Sequence, residues 1–330
     1  MQKKIPVTAL LILVTSVNMA PFSVLAKGYD PDTPKDTPKD TPKDSTKDAS
    51  KDDKKDDKDK SPADTEPPRR GNFSLDTSQQ PGSLVAFGEN IFDKGQSMLG
   101  LMGDSFVGVG RNEVDLVGYY IYAFTNRCSG YWSVGYTPFE QANGAKTSGF
   151  EDSIFQLEYA FYVRANKWCT QQGTAVLSAI VPTGSIDKNP ATGNGTMSYF
   201  GGLTYLLTFE EYYFLTSQGT LIPTSHIGTQ GSKIYYYQFG IGKNFCYKPD
   251  KYILDGLIEL DGEYATHSRY QGVTDPDSGG NLILAIPSIW FSTTHIIAQF
   301  GLGFPVAQHW FGQQGNFDYV LVGNISWTFL

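Results

Sequence analysis

From residue 115 to the C-terminus the chain repeats runs of about ten residues in which apolar and small or polar side chains alternate with a period of two. That length constrains the fold more than any other feature. Strands of soluble proteins average about five or six residues, whereas a strand that crosses a bilayer at a tilt needs about 9–11. In the last run, Tyr319, Leu321, Gly323, Ile325, Trp327 and Phe329 share one face. Asp318, Asn324, Ser326 and Thr328 share the other with Val320 and Val322. The first of these faces suits lipid.

Other runs follow the same scheme. Phe155, Leu157, Tyr159, Phe161 and Val163 oppose Gln156, Glu158, Ala160, Tyr162 and Arg164, and Ile296, Ala298, Phe300, Leu302 and Phe304 oppose His295, Gln299 and two glycines. Between Tyr252 and Tyr264 the outward set is Tyr252, Leu254, Ile258, Leu260 and Tyr264. That alternation places Asp255, Glu259, Asp261 and Glu263 together on the inner face. These four acids, with Glu158 and Arg164, are the candidate lumen-lining residues, and Lys243 is a further candidate for pairing across the lumen. An acidic inner wall would favour cations or neutral solutes over anions. The same charges would also serve a polar network that stiffens a closed barrel.

The pattern predicts strands near 98–109, 115–126, 129–138, 151–166, 173–182, 197–208, 211–222, 233–245, 251–266, 281–291, 294–304 and 317–329. Their number is even. Counting back from the C-terminus, the links 305–316, 267–280, 223–232, 183–196 and 139–150 are long and alternate with short ones, as in barrels with short turns at one rim and long loops at the other. The expected fold is therefore all-β, a closed antiparallel transmembrane barrel of about twelve strands over 71–330. Residues 71–97 are open between a strand, a short helix and a plug. A soluble β-sandwich is the structural rival, but it would have shorter strands and more surface charge.

Charge supports this division. Residues 71–330 carry 12 Lys and Arg against 21 Asp and Glu, so a basic footprint for nucleic acid is absent. Residues 1–26 read as a signal peptide, with Lys3 and Lys4 before the apolar Ile5–Val17 stretch and Val24-Leu25-Ala26 at the cleavage position. Residues 27–70 form a low-complexity tether. Thr33-Pro34-Lys35-Asp36 recurs as 37–40 and 41–44 before giving way to Lys/Asp clusters, and with almost nothing apolar to bury this stretch is expected to be disordered. Its readings are a solvated periplasmic spacer or an arm that touches peptidoglycan.

Other motifs carry little chemistry. Cys128, Cys169 and Cys246 lack CxxC spacing and have no His nearby, so no metal site is expected. The turn assignment places all three at one rim, on consecutive hairpins for Cys128 and Cys169, which admits a disulfide between that pair. Ser288 with His295, or Ser225 with His226, can be written as nucleophile and base, but no GxSxG or HExxH accompanies them. Neither an enzyme nor a cofactor is expected. Asp275-Pro276-Asp277-Ser278-Gly279-Gly280 reads as a plain turn rather than a Ca²⁺ loop. Tyr131, Trp132, Trp168, Tyr247, Trp310 and Trp327 are candidates for interfacial girdles.

The ending Gly323-Asn324-Ile325-Ser326-Trp327-Thr328-Phe329-Leu330 resembles that of bacterial outer-membrane β-barrel proteins, although the aromatic here is penultimate. The resemblance implies that Ile325, Trp327 and Phe329 form a C-terminal signal for the barrel-assembly machinery. Ser178-Ala179-Ile180-Val181-Pro182-Thr183-Gly184-Ser185, followed by Gly193-Asn194-Gly195, is similar to a segment of the MetA-pathway phenol-degradation outer-membrane family. This second resemblance implies a twelve-stranded channel or passive transporter for small hydrophobic or aromatic solutes, embedded in outer-membrane lipid. The competing expectation is an envelope anchor or adhesin without transport, which the tether and the Gly-, Asn- and Thr-rich loops would also suit.

Overall fold

The computed structural model describes residues 67–109, 111–142, 144–226, 229–270 and 272–329. The signal peptide and residues 27–66 of the tether lie outside the described residues. Twelve long strands form the wall: β1 (Ser97–Gly108), β2 (Arg111–Thr125), β3 (Cys128–Ala142), β4 (Ser153–Ala165), β5 (Cys169–Val181), β6 (Ser198–Phe209), β7 (Tyr212–Pro223), β8 (Ile234–Lys248), β9 (Tyr252–Ala265), β10 (Gly280–Thr293), β11 (Ile296–Trp310) and β12 (Phe317–Phe329). All neighbours are antiparallel and follow chain order. β1 closes the ring by pairing with β12, from Ser97 opposite Phe329 to Val107 opposite Tyr319. Closure satisfies the strand edges, which a barrel in hydrocarbon requires.

The period of two becomes the two faces of this wall. Leu99, Leu157, Leu203, Ile258, Phe300 and Ile325 are all exposed on the outside. Wall residues of the opposite parity, such as Val117, Val176, Leu257 and Val322, are buried inside. A continuous exposed apolar belt of this kind is stable against hydrocarbon and not against water.

Several expected loops are strand instead. The 139–150 link is a hairpin: β3 runs to Ala142 and Ala145–Phe150 returns along it, pairing Ala145 with Ala142 and Phe150 with Tyr136. This return leads into β4 through an interruption at Glu151 and Asp152, where Glu151 N–H donates to Gly135 O at 3.0 Å. Ser225–His226, Thr229–Gln230, Arg269–Tyr270 and Val273–Thr274 pair into a small four-stranded sheet that joins two of the long loops beyond the rim.

Residues 71–96 are neither a thirteenth wall strand nor a helix. They hold two short 3-10 turns, Gly71–Phe73 and Thr77–Gln79, and otherwise run irregularly through the lumen. The segment enters at the short-turn rim, where Asn72 N–H donates to Glu210 O at 2.8 Å and Asp250 N–H donates to Ser74 O at 2.9 Å. Arg69 pairs there with Asp76 and Asp250. It leaves at the same rim, where Lys94 N–H meets Asn126 Oδ1 at 2.8 Å and Gly95 N–H meets Ala123 O at 2.9 Å. Leu75, Leu84, Val85, Phe87, Ile91 and Phe92 are buried. The segment is an internal plug.

Candidate functional site

The plug tip is held by two apolar patches of the inner wall. Phe87 packs with Val176, Phe200, Leu221 and Tyr236, its ring 4.8 Å from that of Phe200 in an edge-on contact. Leu84 and Val85 pack with Leu282, Leu284, Ile286 and Val320. Burying side chains of this size stabilises docking by about 1.5–3 kcal/mol each. Gly88 then reverses the chain with φ 86°, and a Cβ there would lie 2.5 Å from Thr204 Oγ1, so only glycine fits the turn.

Outside its two 3-10 turns the plug backbone makes few bonds to itself, and the wall supplies partners. The N–H groups of Leu84 and Val85 donate to Glu259 Oε2 and Oε1 at 3.0 and 3.3 Å. Asn90 donates to Glu158 twice, from its N–H to Oε2 at 2.9 Å and from Nδ2 to Oε1 at 2.6 Å. Phe87 O accepts from Thr204 Oγ1 at 2.5 Å and Ser217 Oγ at 3.2 Å. Gln238 Nε2 reaches both Val85 O at 3.2 Å and Asp261 Oδ1 at 2.7 Å, while Gln299 Nε2 holds Ser83 O at 2.8 Å.

The acids named from the sequence therefore divide by contact. Asp255, Glu259 and Asp261 are buried on the inner face of β9 and Glu263 is half-buried beside them, while Glu158 is buried on β4. Glu259 and Glu158 bind the plug, Asp261 binds it through Gln238, and Asp255 accepts from Asn244 Nδ2 at 2.6 Å. No Lys or Arg is buried among the described residues, against nine buried acids. Hydrogen-bond donors, rather than cations, satisfy the carboxylates that hold the plug.

Arg164 is a correction. A bulge between Ala160 and Tyr162 inserts Phe161, so every later side chain of β4 changes face. Val163 then lines the interior, while exposed Arg164 shares the outer face with Gln171, its partner on β5. Lys243 is also outside, over the ring of Tyr212 at 5.3 Å. Neither cation pairs across the lumen.

The expected Cys128–Cys169 disulfide is a second correction, because all three cysteines are free thiols. Cys128 lies level with Tyr159 of β4 and Cys169 level with Asn166, just past the end of that strand. At about 3.3 Å per residue they are on the order of 20 Å apart, far beyond disulfide reach. Among the girdle candidates, Trp132, Trp168, Tyr247 and Trp327 are exposed. Tyr131 instead stacks on buried Tyr119 at 5.6 Å, and Trp310 packs against Phe317. Adjacent Tyr131 and Trp132 must point to opposite faces of a strand.

The Pro182-Thr183-Gly184 and Gly193-Asn194 segments meet in a structural clasp. Asp152 Oδ1 accepts from Gly184 N–H at 3.0 Å and its Oδ2 from Asn194 N–H at 2.8 Å. Thr183 Oγ1 donates to Glu151 O at 2.9 Å and accepts from Ser153 N–H at 2.8 Å. Ile325, Trp327 and Phe329 all face outward beside the β1–β12 seam.

A cavity of about 360 Å³ follows the plug from Thr77 to Phe92, lined by Met98, Met102, Tyr119, Tyr131 and Trp290 as well as by Gln and Ser side chains. Fold and interior together define a class: a twelve-stranded transmembrane β-barrel whose lumen is occupied by its own N-terminal segment. The sequence matches no family model and no curated protein. Among solved structures, the COG4313 outer membrane channel from Pseudomonas putida F1 is similar over 76% of this chain and 99% of that one, with 14% identity and a TM-score of 0.56. CdiB from Escherichia coli is aligned over 70% of this chain and 51% of its own, with 11% identity and a TM-score of 0.35. The first likeness concerns the fold.

Proposed function

We propose that this chain is a bacterial outer-membrane channel or passive transporter for small hydrophobic or aromatic solutes, closed here by residues 71–96. The observation that carries this reading is the irregular segment threaded through a closed barrel, with an apolar and aromatic cavity beside it. A lumen built only for rigidity would be filled by wall side chains, as in the smallest barrels. A removable segment held by hydrogen bonds instead leaves a path. The MetA-family resemblance and the Pseudomonas putida channel of similar fold support the same reading.

The orientation follows from the usual arrangement of short turns toward the periplasm. Tether and plug entrance then lie on one side, with the tether in the periplasm and within reach of peptidoglycan. Ile325, Trp327 and Phe329 are the residues we assign to recognition by the assembly machinery. The sealed lumen also favours a second reading, an envelope anchor without transport.

Conductance of the full chain in planar bilayers separates the two. A channel shows rare or small openings that become frequent when Glu158→Ala and Gly88→Ala weaken plug docking. A wall and plug that remain electrically silent in folded variants would favour the anchor.

A further inference from the structure

Two residues that each carry an unpartnered buried polar atom sit opposite each other at the short-turn end of the inner wall. Asp255 of β9 and Trp290 of β10 are direct cross-strand partners, and both side chains point inward. Asp255 is fully buried and Trp290 is 6% exposed. Asp255 Oδ1 is taken by Asn244, but Oδ2 has no hydrogen-bond partner among the described residues, and neither has Trp290 Nε1. One is an acceptor and the other a donor. Direct partners place their Cβ atoms about 4.5–5.5 Å apart, within reach of a single bridging group.

Buried groups of this kind lose the full desolvation cost unless something pairs with them. A hydroxyl is the smallest organic group that satisfies both, accepting from an N–H and donating to a carboxylate oxygen. Polar groups flank the pair, Asn244 beside Asp255 and Gln299 as the partner of Trp290 on β11, while an apolar patch covers the indole. Trp290 packs with Phe92 of the plug, Met98, Ile297 and Tyr119, and it lines the cavity that runs beside the plug.

We propose that Trp290 and Asp255 form a hydroxyl-binding subsite that selects alcohols among otherwise apolar solutes. The solute hydroxyl oxygen accepts from Trp290 Nε1–H and its hydrogen is donated to Asp255 Oδ2, while the hydrocarbon body lies against Phe92, Met98 and Ile297. The inference deepens the channel reading by naming a chemical class of solute, and it rests on that reading for its physiological meaning but not for the binding itself.

The test is equilibrium dialysis of full-length protein in nanodiscs with benzyl alcohol and ethylbenzene, which have the same number of heavy atoms, with uptake by empty nanodiscs subtracted. Wild type is expected to prefer benzyl alcohol by roughly tenfold, the size of two buried hydrogen bonds. Trp290→Phe keeps an aromatic ring, though a smaller one, and removes the donor, so the preference falls to near unity while ethylbenzene binding persists. Asp255→Asn reduces the preference with Trp290 intact and serves if the first variant fails to fold. Equal binding of the two probes by wild type, or an unchanged preference in folded Trp290→Phe, would overturn the subsite and point to a bound water alone. Because dialysis reads no transport, a preference in an electrically silent barrel would retain the subsite and remove the channel.

Discussion

Asn90 of the plug and Glu158 of the wall form a two-point contact, with backbone N–H and side-chain Nδ2 each donating to a different carboxylate oxygen at 2.9 and 2.6 Å. Gln156 Nε2 adds a third donor to Oε1 at 2.6 Å. Hydrogen bonds to a charged acceptor contribute about 1.5–3 kcal/mol each. Glu158→Ala should therefore weaken plug docking by several kcal/mol. The measurement is the open probability in planar bilayers, which is expected to rise at least tenfold with the barrel still heat-modifiable on gels.

Gly88 supplies a steric version of the same test. Its φ of 86° and the nearness of Thr204 Oγ1 and Val176 Cγ2, 2.5 and 2.9 Å from an added Cβ, leave no room for alanine. Gly88→Ala should cost about 2–4 kcal/mol of plug docking through strain and overpacking. Protease cleavage within 71–96, added from the short-turn side, reads the loss. Persistent protection in the variant would mean that the tip does not turn at Gly88.

Glu89 gives the plug a pH dependence. The residue keeps some exposure, but Oε1 of its carboxylate is buried with no partner among the described residues, and the other oxygen accepts from Ser83 N–H at 2.5 Å. Burial pushes the carboxyl up to about 7, against the lowering effect of the Ser83 bond. A raised value in the docked state means that docking favours the protonated form. The contribution of Glu89 is fully present below pH about 4.5 and is lost as pH rises through about 7. Open probability of wild type should rise across that window relative to Glu89→Gln, which cannot titrate; identical pH profiles would remove Glu89 from docking.

The Asp152 clasp predicts a local effect. Asp152→Ala frees the N–H groups of Gly184 and Asn194, at a cost of about 2–4 kcal/mol. Limited proteolysis should then cut within 184–195 several times faster, while plug protection stays as in wild type.

The cysteines make a simple control. Cys246 is exposed and Cys169 buried, so maleimide should label Cys246 quickly in the folded barrel and Cys169 only after unfolding. Mild oxidation should leave the gel mobility of the monomer unchanged, since Cys128 and Cys169 stand too far apart to join.

The barrel was legible in the sequence because the alternation of lipid and lumen faces is local. Each strand of the wall repeats it within a dozen or so residues, and the run Asp255, Glu259, Asp261, Glu263 marked the inner face of β9 directly. The plug was legible only as an option. Its apolar residues Leu84, Val85, Phe87 and Phe92 do not keep the strand period of two, and they meet partners on many different strands rather than one neighbour. Their position between a polar tether and the first strand, with Pro81, Gly82 and Gly88 among them, was the available signal.

The sequence by itself determined that the chain builds a long-stranded barrel with an apolar outside, since side-chain alternation along a strand is a property of the backbone. Only the tertiary structure decided what the interior contains. Glu259 meets Leu84 and Glu158 meets Asn90 across separations of 175 and 68 residues, and no local pattern encodes such pairings. The bulge at Phe161 is decided the same way: one unpaired residue moves Arg164 from lumen to outer face, and the register of β4 against β5 is fixed only when the two strands pair.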